Sequence, residues 1–73
     1  MNVKELRSIL KKSRVSDSLY NLDNEGRNDE RFCLEYREGK WNVYYLERGI
    51  KTTNLFFETE SEACEYIYKH LVK

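Results

Sequence analysis

Residues 32–71, FCLEYREGKWNVYYLERGIKTTNLFFETESEACEYIYKHL, decide the fold of this chain. Apolar and polar side chains alternate over 32–37 and 41–46, on either side of Glu38-Gly39, and this alternation is typical of a β-hairpin. A two-residue turn at Glu38-Gly39 brings apolar side chains together on one face. The cross-strand pairs that it creates are Tyr36 with Trp41, Leu34 with Val43, and Phe32 with Tyr45. Because all three pairs are apolar, the sequence predicts the register of this hairpin.

The next turn contains Arg48-Gly49 and admits two loop lengths. A two-residue loop places the polar Thr52 opposite Tyr45. A three-residue loop, 48–50, buries more apolar surface, and we therefore predict it, with Gly49 at the position that needs a positive φ. Its cross-strand pairs are Tyr45 with Thr53, Val43 with Leu55, and Trp41 with Phe57.

Amphipathic segments with capping residues lie towards both ends of the chain. The first is predicted as a helix over about residues 2–13, where Asn2 and Glu5 have the spacing of a capping box. The last is predicted over about residues 60–72, with Thr59 as its N-cap and Glu62 completing a second capping box. Their apolar stripes comprise Val3, Leu6, Ile9 and Leu10 in the first helix, and Ala63, Cys64, Ile67, His70 and Leu71 in the last.

The part of the chain between the first helix and the hairpin gives weaker signals. Residues 15–18 are predicted as a link, 19–22 as a short strand, and the polar segment 23–30 as a loop. The whole chain, 1–73, is thus predicted to be one α+β domain. We expect an antiparallel three- to four-stranded meander, with the N- and C-terminal helices packed on its apolar face. The opposite face is mostly polar, and Cys33 is expected to be partly exposed there.

Charge is balanced over the whole chain but uneven along it. The 73 residues include 13 basic and 13 acidic side chains, so net charge gives no general attraction to nucleic acid or an anionic membrane. Residues 1–14 carry a net charge of +4, and residues 17–30 a net charge of −4. The order of elements is similar to that of double-stranded RNA-binding domains. However, residues 58–65 carry four Glu and no basic residue, which disfavours contact with phosphate.

No residue pattern for catalysis, metal binding or cofactor binding stands out, so the sequence predicts a protein that is not an enzyme and has no cofactor. The single histidine, His70, has no accompanying nucleophile and orienting acid. Cys33 and Cys64 lack the spacing of a zinc site, and Cys64 is expected to be a small buried hydrophobe. No stretch has the roughly 20 apolar residues of a membrane span, and no signal peptide is evident. We therefore expect a cytoplasmic protein with reduced thiols.

A longer pattern carries a family resemblance. It reads W-x-V-Y-Y-x-E-R-G over residues 41–49 and F-x-T-E-x-E-A-C-x-Y over residues 57–66, after Cys33-Leu34-Glu35. These segments resemble a group of small bacterial proteins that includes predicted immunity proteins of polymorphic toxin systems. The resemblance covers residues 19–71, and none of its motifs is catalytic. It implies a cytoplasmic bacterial protein that binds and neutralises a cognate toxin.

The functional prediction is therefore a protein-binding module, with an immunity-type inhibitor as its most specific form. Charged residues of the loop, the second hairpin tip and the last helix start are the predicted contacts, because complementary charge speeds encounter and sets specificity. They are Asp23, Glu25, Asp29, Glu30, Glu47, Arg48, Glu60 and Glu62. Two alternatives stay open: a nucleic-acid-binding domain that uses the basic first helix, and a self-associating accessory protein, phage-borne or otherwise. A monomer or a weak homodimer is expected, with no membrane association.

Overall fold

Two helices and a four-stranded sheet make up the described part of the chain, residues 1–22 and 29–72, in a computed structural model. The helices are α1 (Val3–Lys12) and α2 (Glu60–Leu71), and a short 3₁₀ turn covers Asp17–Leu19. The strands are β1 (Tyr20–Asn21), β2 (Phe32–Arg37), β3 (Lys40–Glu47) and β4 (Ile50–Phe57), in that order across the sheet. The predicted α+β class is confirmed, with one helix before the sheet and one after it.

The first hairpin forms as the sequence predicts. Strands β2 and β3 are antiparallel, and Tyr36, Leu34 and Phe32 lie opposite Trp41, Val43 and Tyr45. The turn has two residues, Glu38 and Gly39, with φ values of 52° and 80°. Positive φ at both central residues is the backbone of the tight hairpin turn whose twist matches that of the flanking strands.

The second hairpin has the predicted register but a shorter loop than predicted. Glu47 pairs directly with Ile50, so the loop contains only Arg48 and Gly49, at φ values of 52° and 80°. A β-bulge between Tyr45 and Leu46 accommodates one additional residue on β4, and beyond it the pairs follow the predicted register. They are Tyr45 with Thr53, Val43 with Leu55, and Trp41 with Phe57. The three-residue loop was therefore wrong: Ile50, which was assigned to it, pairs with Glu47, and the additional residue of β4 is Thr52 in the bulge.

Strand β1 corrects the predicted meander. The strand expected over 19–22 is present as Tyr20–Asn21, but it pairs in parallel with β2, with Tyr20 opposite Phe32. The sheet is therefore mixed, and only β2, β3 and β4 form an antiparallel meander. Parallel pairing follows from the path of the chain, because the chain passes Leu46 at the end of β3 before β2 begins. At this point the Glu30 N–H donates to the Leu46 carbonyl at 2.6 Å.

The main core lies between the helices and one face of the sheet, called here the helix-covered face. Leu34 and Val43 on that face are buried, together with residues of both helices. The helix residues are Leu6, Leu10, Ala63, Cys64 and Ile67. Tyr36 was also expected in this core but is 61% exposed, at the end of the sheet next to the first hairpin turn. His70, assigned to the apolar stripe of α2, is exposed as well.

The opposite face of the sheet, called here the outer face, is less exposed than predicted. Cys33, Asn42 and Tyr44 are all buried there. The Lys51 ammonium lies 4.4 Å from the centre of the Tyr44 ring, so its aliphatic chain helps to cover the aromatic side chain. The Asn42 amide donates to the Asn54 side-chain oxygen at 2.8 Å and to the Leu55 carbonyl at 2.9 Å. These contacts explain how polar residues can be buried on this face.

Both predicted N-caps are present. The Asn2 side chain accepts a bond from the Glu5 N–H at 2.8 Å, and the Glu5 carboxylate accepts one from the Asn2 N–H at 3.2 Å, which completes the capping box. At α2, the Thr59 hydroxyl oxygen accepts from the Glu62 N–H at 3.2 Å. The Glu62 carboxylate, however, accepts from the Thr59 hydroxyl at 3.0 Å and not from its N–H, so the second capping box is only half formed.

Candidate protein-binding surface

The acidic start of α2, predicted as a partner contact, stabilises the helices of the chain itself. The Glu60 carboxylate accepts a hydrogen bond from the Val3 N–H at 2.8 Å, and the amino group of Met1 donates to Ser61 Oγ at 3.2 Å. The N-termini of α1 and α2 therefore lie side by side, with the positive ends of two helix dipoles together. Glu5, Glu60 and Glu62 offset this positive potential, so a structural role accounts for these acids.

Cys64 lies fully buried beside this junction. Burial, helped by the nearby Glu60 carboxylate and opposed by the chain's amino terminus, raises the pKa of its thiol to about 11. Burial likewise raises the pKa of Cys33, although the Tyr44 hydroxyl lowers it. A nucleophilic cysteine has a lowered pKa, so neither thiol has the electrostatic environment of an activated nucleophile.

We expect the buried Cys64 thiol to make the fold sensitive to alkali. An unfolded thiol ionises near pH 8.5, whereas the folded one holds its proton up to about pH 11, so the unfolded state loses its proton first. The free energy of unfolding is therefore expected to fall by about 2–3 kcal/mol from this residue between these pH values. Urea unfolding of the wild type and of Cys64→Ala, each at pH 8 and pH 11, measures this fall in the free energy of unfolding. Equal losses in both proteins would contradict the assignment to Cys64.

His70 has a packing role at the exposed edge of α2. Its Nδ1 lies 2.8 Å from the Tyr66 carbonyl one turn earlier, and its ring lies 4.2 Å from the Tyr66 ring. The Phe32 ring is 5.6 Å from the His70 ring and 6.4 Å from the Tyr66 ring, so the three rings form one cluster. Among residues 1–22 and 29–72, no group of three or more His, Cys, Asp or Glu side chains is arranged to hold a metal ion.

Four of the predicted contact residues come together at the end of the sheet formed by the β3–β4 turn. Glu47 and Arg48 lie in and beside the turn, and Glu47 pairs with Ile50. Asp29 forms a bridge with Leu46, and the Glu30 N–H donates to the same residue, so both acids lie next to the turn. We call this surface the turn-end patch. It consists of Asp29, Glu30, Glu47, Arg48 and Ile50, all exposed.

Ile50 is the member of the turn-end patch that the sequence reasoning missed. It is 67% exposed, the most exposed of the large apolar side chains in the described residues. Apolar surface surrounded by charged groups is the usual composition of a docking site, because the apolar part contributes affinity and the charges contribute specificity. The signal in the sequence was its place directly after Gly49 at the start of a strand. The other predicted contacts, Asp23 and Glu25, lie outside the described residues.

A second charged region lies along α1 and bears on the nucleic-acid alternative. Arg7 and Lys11, one turn apart, line a groove of about 280 Å³ together with Arg31. The groove also contains Asp17, whose carboxylate accepts a hydrogen bond from the Tyr20 hydroxyl at 3.0 Å. It is therefore a mixed-charge surface, in which one acid offsets part of the positive potential that a phosphate would need.

No protein-family model, no curated protein and no solved structure matches this chain. The resemblance to immunity proteins consequently remains a prediction from the sequence. Neither of the two described helices is long and apolar enough to cross a membrane.

Proposed function

We propose that this chain is a protein-binding module that acts by docking and without catalysis, and that the turn-end patch is its contact surface. The observation that carries the proposal is that Asp29, Glu30, Glu47 and Arg48 lie at the same end of the sheet as the exposed Ile50. The more specific form, an inhibitor of a bacterial toxin, rests on the resemblance in the sequence alone. In this proposal the protein acts in the cytoplasm, where its two buried cysteines remain thiols.

The arrangement of charges suggests the chemistry of the partner. Three carboxylates favour a basic surface, such as that of a protein that binds nucleic acid, and they would speed its approach over long distances. Arg48 can form a bidentate hydrogen bond with a carboxylate of the partner, which fixes the orientation of the complex. Ile50 supplies the apolar contact that slows dissociation once water is excluded.

The experiment compares capture of partners by the tagged wild-type protein and by patch variants, from nuclease-treated lysate of the native host. One variant carries Asp29→Asn, Glu30→Gln and Glu47→Gln, and another carries Ile50→Ser. Glu65→Gln, an exposed acid on α2, is the matched control. We expect the wild type and the control to retain one stoichiometric protein, and each patch variant to lose it.

Kinetics with the captured partner then test the role of charge. Neutralising the three acids is expected to slow association about tenfold at low salt and to flatten its salt dependence. Ile50→Ser is expected to act mainly on the dissociation rate. An association rate and a dissociation rate that both match the wild type would exclude the turn-end patch as the contact surface.

The groove beside α1 supports the second candidate function, binding of nucleic acid. Gel-shift measurements with RNA and DNA at low and high salt, on wild type and Lys11→Gln, separate the two functions. Binding that is lost at high salt and weakened by Lys11→Gln would favour nucleic acid, since each phosphate contact contributes to the salt dependence. We expect no shift.

A further inference from the structure

Strand β4 forms one edge of the sheet. Its free edge, on the side away from β3, pairs with no other strand among residues 1–22 and 29–72. Its eight residues contain no proline, and its one charged side chain, Lys51, lies over the Tyr44 ring. Proteins normally protect such edges with proline, charge or a cover, because unpaired backbone groups are a template for another strand. The edge of β4 lacks these protections over most of its length.

The register determines which backbone groups of β4 point outwards. Residues that flank a two-residue hairpin turn form a hydrogen-bonded pair. Along an antiparallel ladder, hydrogen-bonded pairs alternate with non-hydrogen-bonded pairs. Counting from Arg37 and Lys40, the backbone groups of Val43 point away from β2 and towards β4. Leu55, opposite Val43, therefore bonds to β3, while the N–H and C=O groups of Asn54 and Phe56 point outwards.

Exposed apolar side chains are concentrated on this strand. Among the described residues, three of the five exposed large apolar side chains belong to β4, namely Ile50, Leu55 and Phe56. Leu55 is 39% exposed on the helix-covered face, and Phe56 is 62% exposed on the outer face. A strand added at this edge would cover apolar groups on both faces of the sheet and would satisfy the outward backbone groups at the same time.

We propose that the occupant of this edge is a second copy of the same chain, with β4 pairing antiparallel to β4 about a two-fold axis at Leu55. The bulge limits the regular part of the strand to residues 53–57, and Leu55 is the centre of this segment. Maximal overlap of two copies therefore places Leu55 opposite itself. In that register Asn54 of one copy pairs with Phe56 of the other, so the outward backbone groups meet each other.

Charge complementarity supports the same register. It places Glu58 of one copy opposite Thr52 of the other, so that Glu58 lies one position from Lys51 at both ends of the paired segment. Glu58 is exposed and already pairs with Lys40 of its own chain, so Lys51 would extend an existing ion pair. The product is a continuous sheet of eight strands with a closed two-fold interface. This inference goes beyond the proposed function, since the acids of the turn-end patch lie outside the paired segment.

Cysteine cross-linking tests the position of the axis. Residues directly opposite in a non-hydrogen-bonded antiparallel pair are close enough for a disulfide, so Leu55→Cys is expected to form a covalent dimer under mild oxidation. Thr53→Cys is the matched control: it lies two residues away on the same face, but in the dimer it faces Phe57 of the other copy. Equal cross-linking of the two variants, or none for Leu55→Cys, would overturn the register.

Sedimentation equilibrium tests the dimer itself without a cysteine. The wild type is expected to show a concentration-dependent dimer, and Leu55→Lys to weaken it by about tenfold or more, because like charges then lie directly opposite. Ile50→Lys, at a more exposed position outside the paired segment, is expected to leave the dimer intact. A monomeric wild type at high micromolar concentration would overturn the proposal, and so would equal effects of the two lysine variants.

A backbone test completes the set. Phe56→Pro removes an outward N–H that β3 does not use, so the fold is expected to persist, as checked by circular dichroism, while dimerisation is lost. Phe56→Ala keeps that N–H and is expected to weaken the dimer less than proline does. A folded Phe56→Pro variant that still dimerises like the wild type would contradict pairing through this edge.

Discussion

We expect Ile67→Ala to lower the free energy of unfolding by about 3–4 kcal/mol. Ile67 is fully buried at the centre of α2, in one core cluster with Leu34, Val43 and residues of α1. Truncation removes buried apolar atoms and leaves a cavity between a helix and a sheet that are both held by hydrogen bonds, so the site cannot collapse. A domain of this length has about 4–11 kcal/mol of stability in total, so this one change removes between about a quarter and nearly all of it.

Urea unfolding followed by circular dichroism measures this loss, and the chain provides a matched control. Ile50→Ala is the same chemical change at an exposed position, and its effect is expected to stay near about 0.5 kcal/mol. If the two variants lost similar amounts, the packing of α2 on the sheet described here would be incorrect.

Asn42→Ala is expected to cost about 2–3 kcal/mol. Asn42 is only 2% exposed on the outer face, and its amide donates both to the Asn54 side chain and to the Leu55 carbonyl. Each net hydrogen bond contributes about 1 kcal/mol, and the lost volume adds a cavity term. The Asn42 amide also ties β3 to the edge strand β4, so the loss of its hydrogen bonds is expected to loosen β4 first.

The partner residue provides the control for this prediction. Asn54→Ala removes one of the two bonds from an exposed side chain, so its cost is expected to be about half as large. A double-mutant cycle of the two changes is expected to give a coupling energy of about 1 kcal/mol. Additive losses, measured by urea unfolding, would show that the side chains do not interact.

Local patterns accounted for the parts of the fold that the sequence predicted well. Alternation of apolar residues around Glu38-Gly39 determined the register of the first hairpin, because only one turn length paired Leu34 with Val43. Capping residues located both helix starts, because their hydrogen bonds join residues only three positions apart. In each case the interacting groups are near neighbours in the chain.

Features that depend on distant segments were not predictable in this way. The parallel pairing of β1 depends on the path of the chain past Leu46, and the bulge depends on competition between turn geometry and register. In the candidate site, Glu60 was predicted as a partner contact, and only the position of α1 revealed its bond to the Val3 N–H. Glu47 and Arg48 were predicted because they lie at a hairpin tip, whereas the arrival of Asp29 and Glu30 beside them required the structure.

The bond between Glu60 and the Val3 N–H has a consequence for the order of folding. It joins groups that are 57 residues apart, whereas each hairpin joins strands separated by two residues. Loop-closure entropy therefore favours early formation of the β2–β3–β4 meander, followed by α2, which continues directly from β4. Helix α1 needs the first turn of α2 as part of its own cap, so it is expected to dock last, and its amides to be among the first to open in the native state.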